Sequence, residues 1–270
     1  MAKVTFIWHD CFVVETADAN LVFDYWLDSD GEARAFPDFL NTLDAGKPLY
    51  VLVSHGHKDH YNPAIFGWAR LFSNIHFIVS KDIRNRIRHI VSESSVYSGP
   101  KISESQLTVL RPGETYSDNI LNVRAFPSTD IGAAYLIEID RQSFFHAGDL
   151  NAWVRADDSS EREINKALGD YKACLKAISE YLDTAHDDKD IDYCFFPVDS
   201  RIGSKYFLGA AMFVTNFKVR RFFPMHFDLG DNEEREIRRR DALDFNKYAN
   251  LTFGEYIPLA VNGSCYLSND

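Results

Sequence analysis

The chain has 270 residues, of which 46% are hydrophobic and 14% aromatic, and its 29 Lys and Arg against 40 Asp and Glu give a formal net charge of −11. Such a length is sufficient to bury a large core, and the aromatic content excludes a generally disordered chain. The negative charge argues against a dedicated nucleic-acid binder or a protein of anionic membranes, because both ligands carry dense negative charge.

Short apolar and β-branched runs between turn-forming residues predict strands along most of the chain. In chain order they cover residues 4–8, 12–15, 21–23, 49–53, 75–79, 107–110, 120–126, 133–139, 143–145, 193–196, 221–223, 256–259 and 265–267. Helical spacing of apolar residues predicts helices at 63–72, 83–91, 161–182 and 232–240. The pattern favours one domain over residues 1–270, with antiparallel-type sheets covered by helices.

The chain begins with a strand-like alternation rather than with the features of a signal peptide. No run approaches the roughly 18–20 apolar residues that a membrane helix requires. The four cysteines lie far apart and form no CxxC pair, which is typical of reduced thiols. The sequence therefore predicts a cytoplasmic location and no membrane partner.

A dense group of ligand-type side chains follows the apolar run at 49–53: His55, His57, Asp59 and His60. Imidazole and carboxylate groups together suit zinc, manganese or iron. Gly56 lets the backbone bend, so that closely spaced ligands can face the same way. The alternative, a solvent-exposed His-rich turn, is disfavoured because four such residues at one strand end rarely coincide.

The run His55-Gly56-His57-Lys58-Asp59-His60 resembles the HxHxDH signature of the metallo-β-lactamase-fold hydrolases. Two further landmarks follow in the order of that family, Gly148-Asp149 at the end of a strand and Pro224-Met225-His226 at the end of a later one. The chain is similar in particular to the branch of small proteins around the ascorbate-6-phosphate lactonase group. The resemblance implies an α+β fold, an αββα sandwich in which two mixed β-sheets are flanked by helices.

The resemblance also implies a site for two divalent metal ions, zinc first, with manganese or iron as alternatives. The implied ligands are His55 and His57 for the first ion, Asp59, His60 and His226 for the second, and Asp149 as the bridge between them. Two such ions can share a hydroxide and stabilise charge on the attacked centre. Asp59 is also expected to be catalytic, by orienting this nucleophile or by taking up a proton.

One landmark of the family is missing. Most members supply a third His to the first ion between the signature and the Gly-Asp pair, but this chain has none at residues 126–133. Asp130, or Thr129 as the alternative, is expected to replace it. A carboxylate there would shift the preference of the first site toward manganese or iron. If Asp130 is not a ligand, the protein is expected to work with one metal ion.

Further residues are expected beside the ligands or in a substrate pocket: His9, Asp24, Asn151, Trp153, Asp199 and Arg201. His9 follows the first strand and either approaches the metals or is a turn residue. Asp24 ends a strand, where it could accept a hydrogen bond from a ligand imidazole and fix its tautomer. Asp199 and Arg201 either contact an anionic substrate or pair with each other.

The leading hypothesis is a metal-dependent hydrolase that uses a metal-bound hydroxide on a small ester, lactone or phosphoester. One alternative is an RNA or DNA phosphodiesterase of the same fold, which the net charge of −11 disfavours. The other is a catalytically inactive metal-binding sensor, which the missing His suggests. The expected partner is a small-molecule substrate rather than nucleic acid, and no oligomeric state is indicated by the residues.

Overall fold

The computed structural model describes residues 1–91, 98–185, 190–249 and 254–268, and strands within these ranges form two seven-stranded sheets. The first sheet contains β1 (Lys3–Trp8), β2 (Cys11–Glu15), β3 (Asn20–Phe23), β4 (Leu49–Val53), β5 (Ile75–Ser80), β6 (Leu107–Leu110) and β14 (Cys265–Leu267). The second contains β7 (Thr115–Ser117), β8 (Leu121–Pro127), β9 (Ala133–Ile139), β10 (Gln142–His146), β11 (Asp190–Pro197), β12 (Lys218–Met225) and β13 (Glu255–Tyr256). The α-helices are α1 (Arg84–Val91), α2 (Glu161–Ala185), α3 (Leu208–Asn216) and α4 (Asn232–Ala249).

Each sheet combines antiparallel and parallel pairing. The first has the order β14-β1-β2-β3-β4-β5-β6, antiparallel from β14 to β3 and parallel from β3 to β6. The second has the order β13-β12-β11-β10-β9-β8-β7, parallel from β13 to β10 and antiparallel from β10 to β7. The prediction of two mixed sheets is confirmed. The antiparallel arrangement expected from strand spacing alone is wrong for half of each sheet, because long crossover connections join the parallel strands.

Aromatic side chains hold the two sheets face to face. The ring of Phe12 in β2 lies 4.6 Å from that of Phe195 in β11, and the ring of Phe23 in β3 lies 5.7 Å from it. Phe6 in β1 contacts Phe227, which directly follows β12, with 5.5 Å between ring centroids. All of these rings are buried, and they belong to one hydrophobic core between the two sheets.

Helices cover the outer faces. Tyr171 and Ile178 on α2 are buried as their spacing predicts, and the Tyr171 hydroxyl donates to the Gly209 carbonyl of α3 at 2.8 Å. On the first sheet, the segment at 63–70 is a 3₁₀ helix rather than the predicted α-helix, and its Trp68 packs 5.1 Å from the ring of Tyr25. Among the described residues, no helix has the length and apolar character needed to span a membrane.

Candidate metal centre

The side chains of the sequence motifs converge at one edge of the sandwich. Asp24 and the loop 55–60 follow the carboxyl ends of the parallel strands β3 and β4. Asp149, Asp199 and His226 follow the carboxyl ends of the parallel strands β10, β11 and β12 in the other sheet. Parallel strands end at the same edge of a sheet, and the two sheets face each other, so residues distant in sequence meet there.

The first group of potential ligands is His55, His57 and Asp149, whose ligand atoms lie within 4.8 Å of one another. His55 Nε2 is 2.9 Å from His57 Nδ1 and 3.2 Å from Asp149 Oδ2. Asp130, the expected substitute for the missing His, is exposed at the rim, with Oδ2 3.8 Å from His57 Nδ1. The structure therefore brings Asp130 beside the first group and within reach of its outermost member.

The second group is His9, Asp59, His60 and His226, which also have ligand atoms within 4.8 Å of one another. His60 Nε2 and His226 Nε2 lie 3.1 and 3.2 Å from Asp149 Oδ1. Asp149 thus turns Oδ1 to the second group and Oδ2 to the first. This is the orientation that a carboxylate bridging two metal ions requires.

Hydrogen bonds that Asp24 accepts set the proton positions on His55 and His60, directly for His60 and through Ser54 for His55. Asp24 Oδ2 accepts from His60 Nδ1 at 2.8 Å and from the Ser54 hydroxyl at 2.5 Å. Because that hydroxyl donates to Asp24, its oxygen accepts from His55 Nδ1 at 3.0 Å. His55 and His60 therefore carry a proton on Nδ1, and Nε2 of each ring faces Asp149 as the nitrogen available to a metal ion.

His226 is oriented in the same way, by a carboxylate that follows a strand of the second sheet. His226 Nδ1 lies 2.9 Å from Asp199 Oδ2, so its proton points to Asp199 and its Nε2 to Asp149. Arg201 binds Asp199 through two nitrogens, with Nε 2.8 Å from Oδ2. Although burial opposes it, contacts with His226 and Arg201 hold the pKa of Asp199 well below its usual range. The structure thus shows Asp199 and Arg201 as a pair that orients His226.

Several buried atoms at this edge have no hydrogen-bond partner, which is uncommon for polar groups away from solvent. They are His9 Nε2, both carboxylate oxygens of Asp10, His60 Nε2, Asp149 Oδ1 and His226 Nε2. Unpaired buried groups of this kind cost roughly 1–3 kcal/mol each, and more when charged. A divalent cation would satisfy several of them at once, so the residues fit a metal centre.

The pKa values show how strongly this cluster favours positive charge. Burial alone would lower the pKa of His226, but Asp10 and Asp149 outweigh it and raise that pKa to about 10. Burial alone would raise the pKa of Asp149, but His60 and His226 hold it well below its usual range. The cluster therefore binds positive charge, as protons or as a divalent cation.

A cavity of about 550 Å³ opens onto Asp149 and His226, with Trp153 as part of its wall. Trp153 donates from Nε1 to the Asp149 carbonyl at 2.8 Å, and its ring lies 5.4 Å from that of His226. Asn151 is fully buried and packs against Gly209, with Oδ1 accepting from the Ala152 amide. The structure therefore places Trp153 at the cavity and turns the side chain of Asn151 away from it.

Three residues that sequence reasoning had left without a role in the site contact the cluster. Ser54, directly before the signature, connects Asp24 to His55, because its hydroxyl donates to Asp24 and accepts from His55 Nδ1. Asp228, two residues after His226, contacts His9. Asp10 is fully buried beside the second group, with Oδ2 3.1 Å from His9 Nε2. Their adjacency to expected site residues was the available signal, but adjacency alone does not show which way a side chain points.

Comparison with known proteins identifies the family of the chain. Residues 3–165, more than half of the chain, match the family described as beta-lactamase superfamily domain. A UPF0173 metal-dependent hydrolase from Carboxydothermus hydrogenoformans is 26% identical over 158 residues, which cover 54% of this chain and 62% of that protein. One from Desulforamulus reducens is 28% identical over 156 residues, covering 54% and 61%. The matches thus span less than two thirds of the length of these curated relatives.

Solved structures share the fold. Igni18, described as a novel metallo hydrolase from Ignicoccus hospitalis, superposes with a TM-score of 0.57 at 15% identity over 99% of both chains. CmlA, a diiron β-hydroxylase from Streptomyces venezuelae, gives 0.56 at 13% identity over 96% of this chain and 53% of its own. At such identities the likeness establishes the metallo-β-lactamase fold, and proteins of different described activities share it.

Because Asp24 sets the tautomers of both His55 and His60, we predict that Asp24→Asn weakens metal binding by about 10–100-fold. The carboxylate accepts from His60 and the Ser54 hydroxyl through Oδ2 and from the Ser54 backbone amide through Oδ1, whereas Asn has one accepting oxygen and no charge. The affinity for Zn²⁺, measured by competition with a chelator, tests this expectation. Asp28→Asn, which changes another buried Asp in the loop after β3, is the control and should bind as the wild type does. Equal affinity in all three proteins would contradict the role of Asp24.

Proposed function

This chain belongs to the beta-lactamase superfamily, and on that basis we propose that it is a metal-dependent hydrolase acting on a small ester, lactone or phosphoester. The main support is the orientation of Asp149, which turns one carboxylate oxygen to each of two groups of His and Asp side chains. Curated relatives that are named metal-dependent hydrolases support the same reaction class.

In this proposal the protein binds two divalent ions, zinc first, with manganese or iron as alternatives. The first is held by His55, His57 and Asp149, and the second by Asp59, His60, Asp149 and His226. Asp130 completes the first site in place of a third imidazole, since its carboxylate lies 3.8 Å from His57 Nδ1. Without Asp130 as a ligand, the first site would be weak and the second would act alone.

Two such ions, when bound, would supply a nucleophilic water of lowered pKa and would stabilise negative charge on the attacked carbonyl or phosphoryl group. The residues of the chain orient the reactants. Asp59 is half-buried, and although burial opposes it, His9 and His60 hold its pKa well below the usual range. It therefore stays ionised, and we assign to it the orientation of the nucleophile or the acceptance of its proton.

The cavity suggests a substrate that carries an anionic group. Arg155 and Arg201 both line it, and Arg201 is already paired with Asp199. Arg155 is exposed, and its guanidinium has no hydrogen bond or ion pair among the described residues. A carboxylate or phosphate on the substrate would replace solvent at this guanidinium, and Arg binds both in a bidentate manner. Polymeric nucleic acid is disfavoured as a substrate by the net charge of −11.

We also infer that residues 1–270 form one domain in the cytoplasm. The cysteines support this location, since Cys11, Cys174 and Cys194 are buried free thiols and Cys265 is an exposed one. An exposed free thiol is more compatible with a reducing compartment than with an oxidising one.

A panel of esters, lactones and phosphodiesters tests the activity directly. We predict that the metal-loaded protein hydrolyses at least one class, that chelation abolishes turnover, and that Asp59→Asn lowers kcat by about 10²–10⁴-fold. Asp30→Asn, at an exposed loop position, should match the wild type. A metal-loaded protein that is inert across the panel would support the sensor alternative, and turnover of RNA or DNA alone would support the phosphodiesterase.

The role of Arg155 is tested with a matched pair of substrates, one neutral and one carrying a carboxylate or phosphate. Loss of one charge-assisted hydrogen bond at an exposed site predicts that Arg155→Ala lowers kcat/KM for the anionic substrate by about tenfold. The neutral substrate should be hydrolysed at an unchanged rate. Arg162→Ala, an exposed position outside the cavity lining, is the control. Equal effects on both substrates would contradict recognition of an anion.

A further inference from the structure

The turn between β1 and β2 lies beneath the second group of ligands. Its two residues, His9 and Asp10, have fully buried side chains. His9 has a left-handed backbone with φ of 57°, and its carbonyl accepts from the His226 amide at 3.1 Å. The turn is therefore tied to the loop that carries a potential ligand, and both of its side chains point into the cluster.

The tautomer of His9 differs from that of its neighbours. The backbone amide of Asp228 donates to His9 Nδ1 at 2.9 Å, so this nitrogen carries no proton. The proton of the neutral ring therefore lies on Nε2, which is 3.1 Å from Asp10 Oδ2. The atom that faces the cluster is thus an N–H donor. In His60 and His226 a carboxylate accepts from Nδ1, so Nε2 is the nitrogen that remains available to a cation.

The Asp10 carboxylate lies between the N–H donor His9 Nε2 and the potential ligand His60. Its Oδ2 is 3.1 Å from His9 Nε2 and 3.4 Å from His60 Nε2. Neither of its oxygens has an aligned hydrogen bond. Buried carboxylates are normally paired or bound to a metal, because an isolated buried charge is strongly unfavourable. At 3.4 Å, His60 Nε2 and the Asp10 carboxylate need a positive charge that both can reach, either a proton or a metal ion.

We propose that Asp10 is an additional carboxylate ligand of the second metal ion, and that His9 is a positioning residue that donates Nε2–H to this carboxylate instead of binding the ion. The proposal rests on the proposed function only in requiring a metal ion at the second group. With Asp10, the second site gains a further oxygen donor beside Asp59 and Asp149. Manganese and iron suit such an oxygen-rich set better than they suit a site of imidazoles.

The test is metal binding, measured without any substrate. Wild type, Asp10→Asn, His9→Gln, His60→Ala as the reference for loss of a ligand, and the control Asp28→Asn are stripped with a chelator. Each is titrated with Mn²⁺ and with Zn²⁺ in competition with a chelating dye. We expect Asp10→Asn to weaken the binding of the second ion by at least tenfold, with a larger loss of affinity for Mn²⁺ than for Zn²⁺. His9→Gln keeps an N–H donor and should stay within about threefold of the wild type, as should Asp28→Asn.

Melting of the same proteins separates ligation from a merely structural role. As a metal ligand, Asp10 contributes its stabilisation only in the loaded state. Asp10→Asn should therefore reduce the rise in melting temperature on Mn²⁺ addition, while the chelated protein melts no lower than the wild type does. If Asp10→Asn does not fold, Asp10→Ser, which is smaller and also neutral, carries the same expectation.

Three results would overturn the proposal. Wild-type affinity for both ions in Asp10→Asn would show that Asp10 is not a ligand. A loss of the second ion in His9→Gln as large as that in His60→Ala would show that His9 binds the metal itself. A wild-type protein that binds neither Mn²⁺ nor Zn²⁺ would contradict the proposed function as well, whereas the first two results would leave it intact.

Discussion

The structure depends on a set of imidazole nitrogen atoms that face a buried carboxylate. His55, His60 and His226 each direct Nε2 at Asp149 from 3.1 to 3.2 Å. At these separations an unprotonated nitrogen and a carboxylate oxygen repel each other, so the arrangement requires a positive charge between them, as protons or as a metal ion. Asp24 and Asp199, on the far sides of the rings, hold the imidazole protons away from Asp149 and so maintain the arrangement.

Unusual backbone conformations help to bring these side chains together. His9, Asp24 and His226 have φ values of 57°, 41° and 69°, in the left-handed region that residues with side chains rarely adopt. Such conformations cost about 1–3 kcal/mol each and cluster at functional sites. Gly132, with φ of 85°, lies where a Cβ would come within 2.2 Å of the Ser54 carbonyl. A residue with a side chain there would push Ser54 away from Asp24. This glycine therefore preserves the hydrogen bonds of Ser54 that connect Asp24 to His55.

Much of this architecture is encoded in local sequence patterns. The predicted strands at 49–53, 107–110 and 133–139 have the observed bounds, and the apolar spacing of α2 predicted a helix that the structure confirms. By contrast, α3 was not predicted, because its sequence LGAAMFVTN is apolar almost throughout and carries no amphipathic pattern. Strand pairing was also beyond local patterns, because parallel and antiparallel neighbours differ in connection geometry rather than in composition.

The residues of the site also divide into those that local sequence patterns identify and those that they do not. The signature at 55–60 and the Gly-Asp pair at 148–149 identify themselves by residue type and spacing. Asp10 does not, since a carboxylate in a hairpin turn is usually exposed, whereas here residues of both sheets, His60 and His146, contact it. The tautomer of His9 depends on a backbone amide 219 positions away, that of Asp228. Such roles follow from tertiary contacts, which one sequence does not display.

The most direct test of the metal centre is a crystal structure of the protein loaded with Mn²⁺ or Zn²⁺, with the ions located by their anomalous scattering. Two peaks are predicted, one on each side of the Asp149 carboxylate, at bonding distances of about 2.0–2.2 Å for Zn²⁺. The first should contact His55, His57 and Asp130, and the second Asp59, His60 and His226. Peaks absent from both sides of Asp149, with the imidazoles hydrogen-bonded to it instead, would contradict a metal centre at this edge.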